Sequence, residues 1–347
     1  MRLAPSGRTL IVQPLPGIGD MIWHLPHIHA IAATTTPGKV DILTKPRSQA
    51  DRLLCADPCV GQVLWLERES GPHAGWRGLL RLAAKLRQGG YQRAWILHGS
   101  ARYALAARWA GISERLGYGV GLQSAAADRA GAIASRAAPR SPDPAGGRLV
   151  GCDWAFPATN PSPGWRFPAE AERAVAARFA AWPAPWIALG VGSSEPWKQW
   201  GAVRFAELAL VLRRRRAGSI FIVGGPAEQA LAEDVLARVH AGGGEVVAAV
   251  ALPLEQVAAL LARCRWYIGN DTGALNMAAA LQVSAIGLFG GSTPLWHSRL
   301  IHPLLPPRRQ SVAWRPSRFR RFWKRSRAGV SPMSITTAHK VRREAFL

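Results

Sequence analysis

The chain has 347 residues, 48% of them hydrophobic, which suits two domains that each bury an apolar core. The longest apolar runs, such as Trp186 to Val191 and Val283 to Phe289, fall well short of a bilayer span, and MRLAPSGRTLIVQPLPG at the amino end reads as a first strand, not a secretory signal. These features argue against a membrane-spanning protein and predict a cytoplasmic one, while 44 Lys+Arg against 21 Asp+Glu, a net charge of +23, predict attraction to nucleic acid, an anionic membrane face or phosphorylated substrates.

In chain order, Thr9 to Val12 is a short β-rich run, Pro14 to Gly19 a Pro/Gly-rich loop, and Met21 through Ala33 an apolar stretch at helical spacing. The alternation repeats: strand Val40 to Leu43, helix Gln49 to Leu54, strand Val63 to Leu66, helix Gly78 to Gln88, strand Ala94 to Leu97, helix Ala101 to Ala110. Ser124 to Pro168 is rich in Ala, Gly, Pro and Ser and predicts a surface excursion or part of an interdomain connection, with a boundary near Pro168 to Pro185. The alternation then restarts with strand Trp186 to Val191, loop Gly192 to Trp200, helix Val203 to Arg213 and strand Ser219 to Val223. Loop Gly224 to Pro226, helix Ala227 to His240, strand Glu245 to Val250 and helix Leu254 to Cys264 follow. Strand Trp266 to Ile268, loop Gly269 to Thr272, helix Gly273 to Leu281 and strand Ser284 to Leu288 complete the pattern. Repeated β-then-α alternation predicts doubly wound parallel sheets, with a ligand cleft at the carboxyl ends of the strands.

Three strand-to-helix junctions carry candidate chemistry. In Gly269-Asn270-Asp271-Thr272-Gly273, the unpaired amides of a helix start can bind phosphate and Gly273 permits close approach, although Asp271 or Thr272 serves equally well as a simple helix cap. The loop Gly192-Ser193-Ser194-Glu195-Pro196-Trp197-Lys198 holds one lysine that can neutralise a leaving diphosphate, or can be merely solvated. Gly17-Ile18-Gly19-Asp20 places a carboxylate at the first junction, where capping is the plain alternative. It lacks the third glycine of a dinucleotide fingerprint, which disfavours a nicotinamide dehydrogenase. His24, His27 and His29 have no Asp, Glu or Cys at a ligand spacing, and Pro26 interrupts them, so no metal site is predicted. Cys55, Cys59, Cys152 and Cys264 are too few and scattered for a disulfide framework.

Together these junctions resemble the bacterial lipopolysaccharide heptosyltransferases, glycosyltransferase family 9. The resemblance also takes in Pro26, Arg115-Leu116-Gly117-Tyr118, Gly192 through Leu208, Gly224-Gly225, the Ala-rich helix and Leu288-Phe289-Gly290 after Asn270, and Met333-Ser334-Ile335-Thr336. It implies a GT-B architecture of two facing Rossmann-like domains: residues 1–168 for the acceptor, 169–330 for a nucleotide-sugar donor, and 331–347 as a terminal helix or tail. It further implies inverting transfer of a heptose or related sugar, with ADP-heptose as donor and a lipid-linked anionic glycan of the lipopolysaccharide core as acceptor, without metal or other cofactor. Asp20 is the implied base, and Ser193, Ser194, Lys198, Glu228, Asp271, Thr272, Gly273 and Asn276 the implied donor and phosphate contacts. Two departures stand out: Asn276 occupies a position where the family usually has His, and Trp23-His24-Leu25 precedes Pro26 where relatives generally carry small hydroxylated residues.

From Arg308 to Arg343 basic residues are interleaved with Trp314, Phe319, Phe322 and Trp323, which predicts peripheral contact with an anionic membrane, or else a solvated charged segment. Two other readings remain at this point. A nucleotide-sugar epimerase shares paired Rossmann units, and the charge also suits a nucleic-acid-binding protein.

Overall fold

A computed structural model describes residues 7–118 apart from 37 and 70, residue 123, the backbone of 129–130, and 165–305 apart from 194, 216, 291, 293 and 295–297. The basic run from Arg308 to Arg343, Met333 to Thr336, Cys152, Ser194 and most of Ser124 to Pro168 lie outside these residues.

The first sheet is wholly parallel, in the order β3-β2-β1-β4-β5-β6. Its strands are β1 (Arg8–Val12), β2 (Val40–Thr44), β3 (Val60–Trp65), β4 (Tyr91–Ile96), β5 (Glu114–Gly117) and β6 (Arg129–Ala130). The helices between them are α1 (Ile18–Ala32), α2 (Ala50–Leu53), α3 (Gly75–Gln88) and α4 (Ala101–Trp109). Leu10, Ile11 and Val12 are buried because helices cover both faces, and this is why such strands read as continuous apolar runs.

The second half begins with α5 (Ala169–Arg178) and β7 (Trp186–Gly190), then α6 (Ala202–Arg214), β8 (Ser219–Gly224), α7 (Gln229–Ala241) and β9 (Val247–Val250). It continues with α8 (Leu254–Arg263), β10 (Cys264–Asn270), α9 (Gly273–Ala280), β11 (Ser284–Leu288) and β12 (Ile301–Leu304). The order β12-β11-β10-β7-β8-β9, again all parallel, repeats the winding of the first sheet. The predicted α/β class with two parallel sheets is therefore what the chain adopts.

Several elements differ from the sequence reading. β5, β6, α5 and β12 are not elements of the sequence reading, β6 lying within the expected excursion, and β10 starts at Cys264 directly after α8, where the sequence predicts helix. α1 begins at Ile18, so Gly19 and Asp20 lie in its first turn and not in the preceding loop.

One apolar cluster joins the halves. Met21, Leu25 and Ile28 of α1 are buried with Val257 and Leu261 of α8 and Leu275 and Ala279 of α9. Each large side chain so buried contributes about 1.5–3 kcal/mol. Trp165 adds an anchor, donating from Nε1 to the Leu53 carbonyl at 2.8 Å. α3 and α4 cover the other face of the first sheet, where Leu79, Leu82, Leu86, Tyr103 and Ala107 share a second cluster.

Burial within α1, together with repulsion from the neighbouring His24, pushes the His27 pKa down to about 4. Between the ordinary value near 6.5 and about 4 the unfolded chain binds a proton that the folded chain refuses, so stability is lost as pH falls through that window. The expected loss is on the order of 3 kcal/mol. Denaturant titrations at a series of pH values should show a shallower decline for His27→Gln than for the parent; parallel curves would mean that His27 is not the group responsible.

Candidate active site

In both sheets the winding reverses beside the first strand of the half, between β1 and β4 and between β7 and β10, and ligands of such sheets sit beyond the carboxyl ends at that point. The loops that leave β1, β7 and β10 there are the three glycine-bearing junctions. A groove of about 710 Å³ lined by Trp182, Pro183, Ser219 and Glu245 lies at the opposite, amino ends of β7 and β8, away from this chemistry.

Asn270, fully buried at the end of β10, ties two of the junctions together. Its Nδ2 donates to the carbonyls of Val191 at 2.9 Å and Gly192 at 3.1 Å, and its Oδ1 accepts from the Trp200 amide at 3.2 Å. The loop after β7 is thus held at both ends by one amide side chain. Within it, Lys198 closes a short 3₁₀ turn (Pro196–Lys198) and donates to Asp271 Oδ2 at 3.4 Å, with its ammonium 5.2 Å from the ring centre of the half-exposed Trp197. Ser193 is occupied locally, its hydroxyl donating to the Glu195 carbonyl at 3.0 Å and accepting from the Glu195 amide at 3.3 Å. Glu228, after β8, accepts from the Gly225 amide at 2.8 Å and lies against Gly192, where a Cβ would stand 3.3 Å from its carboxyl carbon.

Thr272 is the residue before α9, yet its side chain makes no capping hydrogen bond. The first amides of α9 therefore keep their donors for a ligand, and the helix dipole favours an anion there. Capping is instead what Asp20 does: its Oδ2 accepts from the Gly17 amide at 2.9 Å, while among the described residues its other oxygen has no hydrogen-bond partner. Burial raises the Asp20 pKa above the ordinary aspartate value, opposed in part by the Gly17 amide.

The first turns of α1 and α9 abut. A Cβ on Gly273 would stand 3.0 Å from the Ile18 Cβ, and one on Gly19 would stand 2.9 Å from the Asn276 Nδ2. Trp23 Nε1 donates to Asn276 Oδ1 at 2.6 Å, and Asn276 Nδ2 donates to the Thr272 carbonyl at 3.0 Å. The two departures noted in the sequence, Trp23 and Asn276, are thus partners.

The sequence model described as glycosyltransferase family 9 (heptosyltransferase) matches residues 79–304. The chain belongs to glycosyltransferase family 9. A search of the curated proteins finds no match. Among solved structures it is similar to a family 9 glycosyltransferase from Veillonella parvula, at 17% identity over 98% of this chain and 97% of that one, with a TM-score of 0.68. It is also similar to E. coli heptosyltransferase WaaC with ADP, at 21% identity over 92% and 97%, with a TM-score of 0.63. A third similar structure is E. coli ADP-heptose lps heptosyltransferase II, at 20% identity over 86% and 90%, with a TM-score of 0.60. At such identities the likeness is one of fold, and the fold is that of the family 9 heptosyltransferases.

In this family 9 chain the predicted site residues Asp20, Lys198, Asp271, Thr272, Gly273 and Asn276 converge on the seam between the halves, Glu228 borders Gly192, and Ser194 lies outside the described residues. The roles of Asn270 and Trp23 escaped the sequence reading, although both stood inside quoted motifs. The three histidines diverge: His24 and His27 have ring centres 6.0 Å apart, while His29 Nε2 pairs with Asp57 Oδ2 at 2.7 Å. His29, Asp57 and Cys59 offer ligand atoms within 4.8 Å of one another, a grouping that sequence spacing concealed; Asp57 Oδ1 also accepts from the Cys59 amide. No helix among the described residues is long and apolar enough to cross a membrane.

Asn270→Ala strands a buried carbonyl, a partly buried carbonyl and a buried amide, so it should lower the unfolding free energy by about 2–4 kcal/mol in urea titrations and weaken nucleotide binding through the loosened loop. Stability within about 0.5 kcal/mol of the parent would remove Asn270 as the clasp between the two junctions.

Proposed function

We propose that the chain transfers a heptose or closely related sugar, with inversion, from an ADP-linked donor to an anionic, lipid-linked glycan of the lipopolysaccharide-core type. Residues 1–168 serve the acceptor and 169–330 the donor. The observation that carries the reading is the meeting of the Asp20-bearing turn of α1 with the uncapped amino end of α9. A base and an anion-binding helix start on adjacent turns suit a displacement in which the nucleophile gains strength as a diphosphate leaves.

In this reading Asp20 accepts the proton of the acceptor hydroxyl as its oxygen attacks the anomeric carbon, and the bond from that carbon to the diphosphate oxygen breaks on the opposite face. Lys198 and the amides of Gly273 and Ala274 meet the negative charge that develops on the diphosphate. Asp271, a carboxylate unsuited to a phosphate, orients Lys198 and accepts from a sugar hydroxyl. Glu228 accepts from the donor ribose, and Asn276 holds the seam. An anionic acceptor is supported by the first sheet's carboxyl end, where burial and the positive charges of Arg68 and Lys45 together lower the His98 pKa. The similar WaaC structures with ADP and with a fluorinated ADP-heptose support an ADP-sugar donor.

Asp20→Asn should reduce turnover by roughly 10²–10⁴-fold. Because burial raises the Asp20 pKa, ionised Asp20 costs stability above that pKa, and the variant should melt at or above the parent's temperature with ADP affinity unchanged. Lys198→Ala should lower kcat more than ADP affinity. The assay monitors ADP release with and without acceptor: turnover of Asp20→Asn at the parent's rate sinks the base assignment, and nucleotide release that needs no acceptor favours an epimerase.

A further inference from the structure

α3 presents one exposed face made of Trp76, Arg77, Leu80, Arg81, Ala84 and Arg87, with Trp76 68% and Leu80 46% exposed. Large apolar side chains at helical spacing beside guanidinium groups are unusual where no protein packs on them. α4 lies alongside on the same face of the sheet and adds exposed Arg108 and Trp109, the latter 44% exposed. The Arg87 guanidinium reaches the Trp109 carbonyl and joins the carboxyl ends of the two helices. Neither helix contains an Asp or Glu, although Glu67 and Glu69 precede α3 and Glu69 pairs with Lys45 at 3.2 Å.

We propose that the exposed face of α3, extended by Arg108 and Trp109 of α4, docks on an anionic lipid bilayer surface. Indole and leucine side chains enter the headgroup boundary, while arginines keep their charge at the phosphates and lay their methylene stems along the apolar surface. The charge is one-signed, as an anionic leaflet requires. Leu80 and Ala84 continue the face with aliphatic surface, which suits acyl chains better than stacked bases. The face is also held rigidly, since Arg102 donates to the carbonyls of His73 and Gly75, both at 2.7 Å, just before Trp76. This pins the amino end of α3 beside the carboxyl end of the first sheet, where Lys45, Arg68 and His98 stand, so docking brings that end toward a lipid-linked acceptor. The docking itself does not rest on the donor or acceptor assignment.

The test is flotation of the full chain with phosphatidylglycerol-containing vesicles and with neutral phosphatidylcholine vesicles, for the parent, Trp76→Ser/Leu80→Ser and Arg77→Gln/Arg108→Gln. None of these side chains belongs to the active site, so melting temperature, ADP affinity and transfer to a water-soluble, lipid-free acceptor should match the parent in both variants. The parent should bind anionic vesicles in a salt-sensitive manner and neutral ones weakly. Each lost arginine should reduce binding about fivefold, and the apolar variant at least as much. Variants that stay folded and bind anionic vesicles as tightly as the parent overturn the proposal, because binding then arises elsewhere. A parent that binds duplex DNA through this face but ignores vesicles overturns it in favour of a nucleic-acid surface. Failure of transfer in the parent counts against the proposed reaction and leaves the vesicle result standing.

Discussion

The active-site arrangement depends on the contact of α1 with α9 at their amino ends, where Gly19 and Gly273 put no side chain between two backbones. An alanine at either position would have to displace Asn276 or Ile18, so the separation of the halves at this point is set by two missing Cβ atoms. Two helix starts side by side concentrate unpaired amides and positive potential in one place. Asp20 occupies the edge of that region, and it is a carboxylate that burial, not the surrounding dipoles, governs.

The two sheets carry the same strand order, and in each the first strand of the half ends beside the fourth. This repetition explains why three separate glycine-bearing segments, some 250 residues apart at the extremes, arrive at one seam. Asn270 completes the convergence from inside the second half. It is fully buried and uncharged, and its side-chain hydrogen bonds to Val191, Gly192, Gln199 and Trp200 fix the β7 loop on which the Lys198–Asp271 pair is built. The loop that carries Lys198 is therefore held by a neutral, fully buried amide.

Most of the fold is legible in the sequence because parallel strands buried on both faces are continuous apolar runs, as in Leu10 to Val12 and Ile220 to Val223. The elements that escaped have particular reasons. β12 holds Pro303, which is tolerated there because β12 is the edge strand. β10 follows α8 with no Gly or Pro between Arg263 and Cys264, so no punctuation marks the change of period. β5 is four residues long and includes the buried Arg115. α5 is Ala-rich beside prolines and lies in the stretch where the sequence places the domain boundary. In the site, residue types at strand–helix junctions pointed to Asp20, Lys198 and Asp271, whereas Trp23 with Asn276 and His29 with Asp57 are pairs that only folding brings together.

Asn276 illustrates how one neutral side chain redistributes electrostatic work. It lies within contact of Gly19, the residue next to Asp20. A protonated histidine at this place would favour the carboxylate and pull the Asp20 pKa down, opposing the effect of burial. The amide exerts no such pull, so Asp20 keeps the raised pKa of a stronger base, and the hydrogen bond from Trp23 holds the amide in register without adding charge. In the proposed transfer the cost falls on the leaving group. With no cation contributed by α9 itself, positive potential for a departing diphosphate would come from the amides at its start and from Lys198 on the neighbouring loop, which would tie the strength of the proposed base and the placement of that lysine to the same seam.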